Sequence, residues 1–159
     1  MRKLLCLWLA ITCFTLPLAR ASAGVNDLAI IVGKNNVLDD VTSADVLKIF
    51  RAEKRKGADG VKFVIVMRDP GAAERALILA KLYGMGEDDY SKYFLQATFV
   101  GMVQSAPREL PSAAAVLQFV AATPGAIGYV RAGDLNDSVK ALKIDGKAAG
   151  DPDYKLNAK

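Results

Sequence analysis

The chain has 159 residues, of which 21 are Lys or Arg and 17 are Asp or Glu, so its formal net charge is +4. It contains two Cys and no His. The length fits one domain, and the lack of His excludes a Ser-His-Asp or Cys-His catalytic group, a His-containing zinc site and a histidine pH switch.

The first 23 residues have the pattern of a cleaved signal peptide. Met1-Arg2-Lys3 is a positive start, residues 4–19 are almost continuously apolar, and Arg20-Ala-Ser-Ala23 is a small-residue exit. A membrane anchor is the alternative, but a span needs about 20 apolar residues and this run is shorter and contains Pro17. We therefore expect cleavage after Ala23 and a periplasmic protein, and not an integral membrane protein.

Removal of this segment changes the composition. Three basic residues, both Cys and the single Trp leave with it, so the formal charge falls from +4 to +1. The remaining chain lacks the excess of positive charge that is typical of nucleic-acid-binding proteins, and we expect no nucleic-acid partner. It has no disulfide, so a hydrophobic core must stabilise it.

The first predicted elements are a strand and a helix. The apolar run Leu28–Gly33 predicts a buried strand of the kind found in parallel sheets with helices on both faces. Thr42 or Ser43 can cap a helix that ends near Phe50. The charged segment Arg51–Gly60 is either a basic contact patch or a solvated loop, and its mixed signs favour the loop.

The later elements continue the alternation. Val61–Met67 predicts a second buried strand, followed by a turn at Arg68–Gly71. Three helices are then predicted over 72–83, 87–99 and 111–120, the first with Ala76, Leu77, Leu79, Ala80 and Tyr83 on its apolar face. Two strands follow, over 126–130 and 138–144, the second at a sheet edge, and Gly128 indicates a bulge or the close approach of another backbone. Residues 147–159 predict a polar, loosely held tail.

This order predicts an α/β domain over residues 24–146, with a three-layer architecture in which helices cover both faces of a sheet. No spacing of oxygen ligands predicts a metal site, and no motif predicts a cofactor. Without His or Cys in the exported part, the chain lacks an evident pair of nucleophile and base. We therefore do not expect an enzyme.

The turn after the second strand is the candidate binding site. A strand that enters a glycine-containing turn at the start of a helix directs backbone N–H groups and the positive helix end towards one point. Here that point lies beside Arg68 and Asp69, with the N–H groups of Gly71, Ala72 and Ala73. The alternative is an ordinary turn with Arg68 on the surface.

Five segments, in this order, resemble the phosphate-binding protein of bacterial phosphate ABC transporters, and more closely its short, standalone relatives. They are Ala29–Val37, Thr42–Phe50, Arg68–Glu74, Ala122–Val130 and Val139–Gly146. The most specific parts are Thr123-Pro-Gly-Ala-Ile-Gly-Tyr-Val130 and the helix that ends in Ile49-Phe50. The resemblance implies a type 2 periplasmic-binding-protein fold, of which residues 28–146 would build mainly one lobe. Since that family holds its anion between two lobes, one lobe supplies half a site.

The resemblance also implies an anion loop, from which this chain departs. The family pattern is Arg, three residues, then Ser-Gly-Thr; Arg68 is retained, but Ala72, Ala73 and Glu74 take the last three positions. Both hydroxyl donors are therefore lost, and the carboxylate of Glu74 would repel phosphate if it pointed inward.

Two functions remain open on the sequence alone. The first is an exported, periplasmic solute-binding-like protein, linked to phosphate uptake, that binds phosphate or a similar small oxyanion weakly at Arg68, Asp69, Gly71, Ala72 and Ala73. The second is a periplasmic interaction or sensing module that has lost solute binding. Its partner would be a second copy of the chain, in a homodimer, or a membrane receptor or transporter.

Overall fold

The structure is a computed structural model that describes residue 24 and residues 26–103 and 106–158. The predicted signal peptide, residues 1–23, lies outside these residues. Within them, no helix has the length and apolar character needed to cross a membrane. The strands are β1 (Leu28–Gly33), β2 (Asp40–Val41), β3 (Val64–Arg68), β4 (Arg108–Leu110), β5 (Ala126–Arg131), β6 (Val139–Ala141) and β7 (Lys143–Ile144). The helices are α1 (Ser43–Phe50), α2 (Ala73–Ile78), α3 (Glu87–Phe99) and α4 (Ala113–Ala122).

The central sheet has the order β4-β3-β5-β1-β6, and β2 pairs with β7 in a separate parallel ribbon. Strand β3 is parallel to both β4 and β5, whereas β1 is antiparallel to β5 and β6. The expectation of a parallel environment for β1 is therefore wrong. Its continuous apolar run reflects burial on both faces, which helices provide here without parallel neighbours. The single edge strand predicted over 138–144 is divided in two: β6 lies at the edge of the central sheet, as predicted, whereas β7 pairs with β2 in the separate ribbon.

Helices cover both faces of this sheet, so the predicted three-layer architecture is confirmed. Leu28, Ile30 and Val32 of β1 pack in one core cluster with residues of α1 and α3. Ile31 points to the other face, into a cluster with residues of α4. On that face a Cβ at Gly128 would lie 3.2 Å from the side chain of Val116. The absence of a side chain at Gly128 thus leaves room for side chains of the packed helix α4. The predicted reasons for a glycine here, a bulge or the close approach of another backbone, do not apply.

Two helices are capped at the residues where the sequence predicts that they start, although α4 extends two residues beyond its predicted end, to Ala122. The Thr42 hydroxyl caps α1 by accepting a hydrogen bond from the N–H of Asp45. Ser112 caps α4 in the same way, through the N–H of Ala115. In both cases a side-chain oxygen satisfies an N–H group that has no partner within the helix.

The predicted helix over 72–83 is present, but its buried face differs from the prediction. α2 continues as a π-helical turn, Leu79–Tyr83, which ends at Gly84 in the left-handed conformation. The helix buries Arg75 and Ile78, which precede this turn and share one face at helical spacing, together with Leu79 and Tyr83. Ala76 and Ala80, which were predicted on the apolar face, are exposed.

The second strand starts later than predicted, at Val64. Upstream, Lys56 and Lys62 face each other in an isolated antiparallel bridge, and the N–H of Gly57 donates to the carbonyl of Val61. Residues 61–63 therefore belong to a small hairpin that leads into β3. The preceding charged segment is largely exposed, in agreement with the prediction of a loop.

The C-terminal segment is not the loosely held tail that its polar composition predicts. Tyr154 and Leu156 are buried, with 1% and 0% of their surface exposed. The Tyr154 hydroxyl donates to the carbonyl of Leu28, and the Leu28 N–H donates to the carbonyl of Leu156. Two apolar side chains therefore anchor the segment beside the first residue of β1, despite the polar residues around them.

Candidate anion site

The turn between β3 and α2 is fixed at Arg68, the last residue of β3. The backbone N–H of Arg68 donates to the hydroxyl of Tyr129 over 3.1 Å. Its carbonyl accepts a hydrogen bond of 2.7 Å from Nη1 of Arg75. Both main-chain groups of Arg68 are thus held by side chains of neighbouring elements, so the start of the turn is rigidly positioned.

The turn itself uses the N–H of Ala72, one of the three N–H groups that were predicted to face a ligand. The N–H of Asp69 donates to Leu110, and that of Ala72 donates to the carbonyl of Asp69. The N–H groups of Gly71 and Ala73 have no acceptor within the described residues, and both residues are exposed. Gly71 has φ of +89°, a conformation that favours glycine. The turn therefore offers two N–H groups to a ligand.

The Arg68 side chain is only partly available. Its Nη2 donates to the carbonyl of Pro111 over 3.0 Å. Its Nε is buried and has no hydrogen-bond partner within the described part of the chain. A buried guanidinium N–H without an acceptor is costly.

The structure adds Arg131, which the sequence patterns did not place in the site. It is the last residue of β5, the parallel neighbour of β3. Because parallel strands end at the same edge of a sheet, Arg131 and Arg68 lie on that edge together. The signal was present in the sequence, where both predicted strands run into Arg, in Val-Met-Arg68 and Tyr-Val-Arg131.

Glu74 neutralises much of this charge. Its Oε1 lies 2.8 Å from Nε of Arg131, and 16% of its side chain is exposed. The hydrogen bond from Arg131 is the main cause that lowers the pKa of Glu74, with a smaller contribution from the charge of Arg68. The carboxylate is therefore ionised at neutral pH and neutralises the charge of Arg131.

Behind the turn, a buried Arg holds several elements together. Arg75 has only 2% of its side chain exposed, and it binds Glu87 of α3 and Glu109 of β4. Its guanidinium also lies over the ring of Tyr90, 4.9 Å from the centroid. Burial opposes the charged form, but the hydrogen bonds of Glu87 and Glu109 outweigh it and raise the pKa of Arg75. Because Glu87 and Glu109 both pair with Arg75, they neutralise its charge. Arg75 acts on the turn through its hydrogen bond to the Arg68 carbonyl.

Solved structures share this arrangement of strands and helices. A phosphate ABC transporter substrate-binding protein from Clostridium perfringens, solved with bound phosphate, superposes with a TM-score of 0.64 at 21% identity, over 77% of this chain and 46% of that one. The fold is similar to one lobe of a phosphate-binding protein. A phosphate transport receptor from Vibrio cholerae gives 0.63 at 17% identity, over 77% and 48% of the two chains. PstS from Borrelia burgdorferi gives 0.62 at 18% identity, over 82% and 53%.

The similarity to these phosphate-binding proteins concerns the fold. The chain spans about half the length of each of the three solved proteins. No protein-family model matches the sequence, and no curated protein matches it either. The resemblance carried by the five sequence segments is thus supported at the level of architecture.

Proposed function

We propose that the chain is an exported, periplasmic solute-binding-like protein that binds phosphate or a similar small oxyanion weakly, in connection with phosphate uptake. The ligand would lie at the turn formed by Arg68, Asp69, Gly71, Ala72 and Ala73. The observation that carries the proposal is the convergence, at the carboxyl end of β3, of Arg68 with the N–H groups of Gly71 and Ala73, which are exposed and have no acceptor within the described residues.

Weak binding follows from what the turn lacks. The Ser and Thr hydroxyls of the family pattern are replaced by Ala72 and Glu74. Hydrogen bonds to a charged group contribute about 1.5–3 kcal/mol each, so two losses lower the affinity by roughly 10²–10⁴. The carboxylate of Glu74 adds repulsion. We expect a dissociation constant of about a millimolar or weaker for inorganic phosphate.

The proposal is tested by isothermal titration of the protein, purified after expression of the full chain, with phosphate and with sulfate. We expect measurable heat at millimolar ligand, and a loss of that heat in Arg68→Gln. Lys48→Gln is the matched control, because Lys48 is an exposed cation on α1. No heat and no thermal shift with either anion would contradict the proposal.

A second function is favoured by the ion pair between Glu74 and Arg131. In this alternative the internal carboxylate has replaced the solute, and the lobe serves as an interaction or sensing module. Its partner would be a second copy of the chain or a membrane receptor or transporter. This alternative predicts that the parent protein gives no heat with phosphate, whereas Glu74→Gln does, because the variant removes the negative charge that neutralises Arg131 without changing the shape of the turn. Light scattering would show whether the chain forms a homodimer.

A further inference from the structure

A groove lies at the opposite end of β3 from the anion turn. Its volume is about 700 Å³, and its lining includes Val64 and Arg108, the first residues of β3 and β4. Arg68 ends β3 four residues further on, which at about 3.3 Å per residue places it about 13 Å away along the strand. The groove is therefore separate from the anion turn, and a ligand bound there does not depend on the function proposed for that turn.

The polar lining of this groove is entirely cationic among the described residues. It consists of Lys54, Arg55, Lys56, Lys62 and Arg108. Only Lys54 has an acidic partner within the described chain, Asp45 at 3.3 Å. Of the acids near the lining, Glu109 binds Arg75, and Asp59 accepts a hydrogen bond from the N–H of Val61. The groove thus carries positive charge that the described part of the fold does not neutralise.

Two of these cations oppose each other directly. Lys56 and Lys62 are partners in the antiparallel bridge of the hairpin, so their side chains lie on the same side of it. Like charges in this position destabilise a strand pair, and both side chains are exposed. An anion bound between them would convert this repulsion into attraction.

The inner lining of the groove is apolar. It includes Phe63, Ile65, Phe94, Val103 and Phe119. The guanidinium of Arg108 lies over the ring of Phe119, 4.8 Å from its centroid, and joins the apolar and the charged parts. Inorganic phosphate would leave such a surface unused, whereas an organic body would cover it. The volume is within the range of sites for small organic molecules, about 300–1,000 Å³.

We propose that this groove is a binding site for an amphipathic organic anion, with an aromatic or aliphatic body and one acidic group. The body packs against Phe63, Phe94 and Phe119. The acidic group lies between Lys56 and Lys62 at the mouth of the hairpin. The basic segment that the sequence predicts as a solvated loop is, in this proposal, the recognition element for the charged group.

The test compares two fluorescent probes with the same apolar body. Anilinonaphthalene sulfonate carries one negative charge, and phenylnaphthylamine carries none. We expect the protein, purified after expression of the full chain, to bind the sulfonate at least about tenfold more tightly than the neutral probe. In the variant Lys56→Glu/Lys62→Glu the affinity for the sulfonate should fall by about tenfold or more, while the affinity for the neutral probe is unchanged. Circular dichroism melting confirms that the variant is folded.

Two controls make the result specific. Lys34→Glu/Lys48→Glu changes the net charge by the same amount at exposed residues outside the groove lining, and should bind the sulfonate as the parent does. Arg68→Gln should also leave this affinity unchanged, which separates the groove from the anion turn. Equal binding of the two probes, or an undiminished affinity in Lys56→Glu/Lys62→Glu, would overturn the proposal. So would a loss of sulfonate binding in Arg68→Gln.

Discussion

Cationic side chains lie at both ends of strand β3, but they differ in their acidic partners. At the carboxyl end, Arg75 and Arg131 form ion pairs with glutamates, and Arg68 donates to a carbonyl. At the amino end, Lys56 and Lys62 have no acidic partner within the described residues and face each other. A count of positive residues would rank the two ends alike, whereas their partners show that glutamates pair with two of the three arginines at the carboxyl end and that no acid within the described residues pairs with Lys56 or Lys62.

Burial explains the difference. Arg75 is removed from water, and a buried charge must be paired and hydrogen-bonded to be tolerated. Lys56 and Lys62 are exposed, so water solvates them whether or not a carboxylate is near. The carboxyl end has therefore acquired acids that stabilise the fold and compete with an anion. The amino end needed none, and an anion there meets no internal competitor among the described residues.

The largest effect should come from converting the carboxyl end into a competent anion site. The double variant Ala72→Ser/Glu74→Thr introduces two hydroxyl donors and removes the carboxylate that pairs with Arg131. We expect the affinity for phosphate to rise by roughly 10²–10⁴, because each hydrogen bond to a charged group contributes about 1.5–3 kcal/mol. Isothermal titration at neutral pH measures it.

The control for this variant is Ala76→Ser, which adds a hydroxyl at an exposed position of α2 away from the turn. It should bind phosphate as the parent does. If the double variant binds no better than the parent, the turn does not hold anions, and the similarity of fold would not extend to the site.

The next largest effect is on the free energy of unfolding. It is predicted for variants of the two ion-paired arginines of the carboxyl end, Arg75 and Arg131. Arg75→Met should lower the free energy of unfolding by about 3 kcal/mol, since a buried cation with two acidic partners is lost. Glu87 and Glu109 limit the cost because 40% and 43% of their side chains are exposed to water. Arg131→Met removes a guanidinium that is 31% exposed, and should cost about 1 kcal/mol. Urea unfolding of both variants gives the difference.

Lys48→Met, at an exposed position of α1, controls for the loss of a positive charge and should change stability little. Equal losses in the two arginine variants would mean that Arg75 does not hold α2, α3 and β4 together as described. In Arg75→Met the affinity for phosphate should also fall, because the Arg68 carbonyl loses its donor.

Hydrophobic patterns predict most of the architecture, because apolar runs and helical spacing determine what must be buried. The order of the longer strands and of the helices, the helix starts at Thr42 and Ser112 and the edge position of β6 follow from local residues, whereas the short strands β2 and β4 were not predicted. The direction of β1 does not, since a strand that is buried on both faces has the same composition in either orientation. The packing of Tyr154 and Leu156 also depends on contacts that are distant in sequence.

The candidate site was predictable only in part. The turn at Arg68 and the unfavourable position of Glu74 follow from the sequence, because both belong to one segment. The end of a predicted strand in Arg131 is also visible in the sequence, but its pairing with Glu74 is not, and the role of Arg75 arises from two glutamates on other elements. Arg75 was hidden because a charged residue on a predicted helix is normally assigned to its wet face.

The smallest effect is a pH dependence that follows from the pair of Glu74 and Arg131. Arg131 lowers the pKa of Glu74 below its ordinary value of 4.5. The unfolded chain therefore takes up this proton at higher pH than the folded protein does, and the stability that the pair contributes is complete above about pH 5. It is lost as the pH falls through the lowered pKa. The difference in unfolding free energy between the parent and Glu74→Gln should thus be about 0.5–1 kcal/mol at neutral pH and shrink towards pH 3.

Urea unfolding at a series of pH values measures this difference. The contributions of the other carboxylates to the pH dependence cancel, because both proteins contain them. Sulfate, which stays doubly charged over most of this range, offers a second readout. As Glu74 becomes protonated, Arg131 is released, and the affinity of the parent for sulfate should rise while that of Glu74→Gln stays nearly constant. If the unfolding free energies of the parent and of Glu74→Gln differ by the same amount from pH 7 to pH 3, Glu74 does not pair with Arg131 in solution. The two ends of β3 would then be alike in offering unneutralised charge.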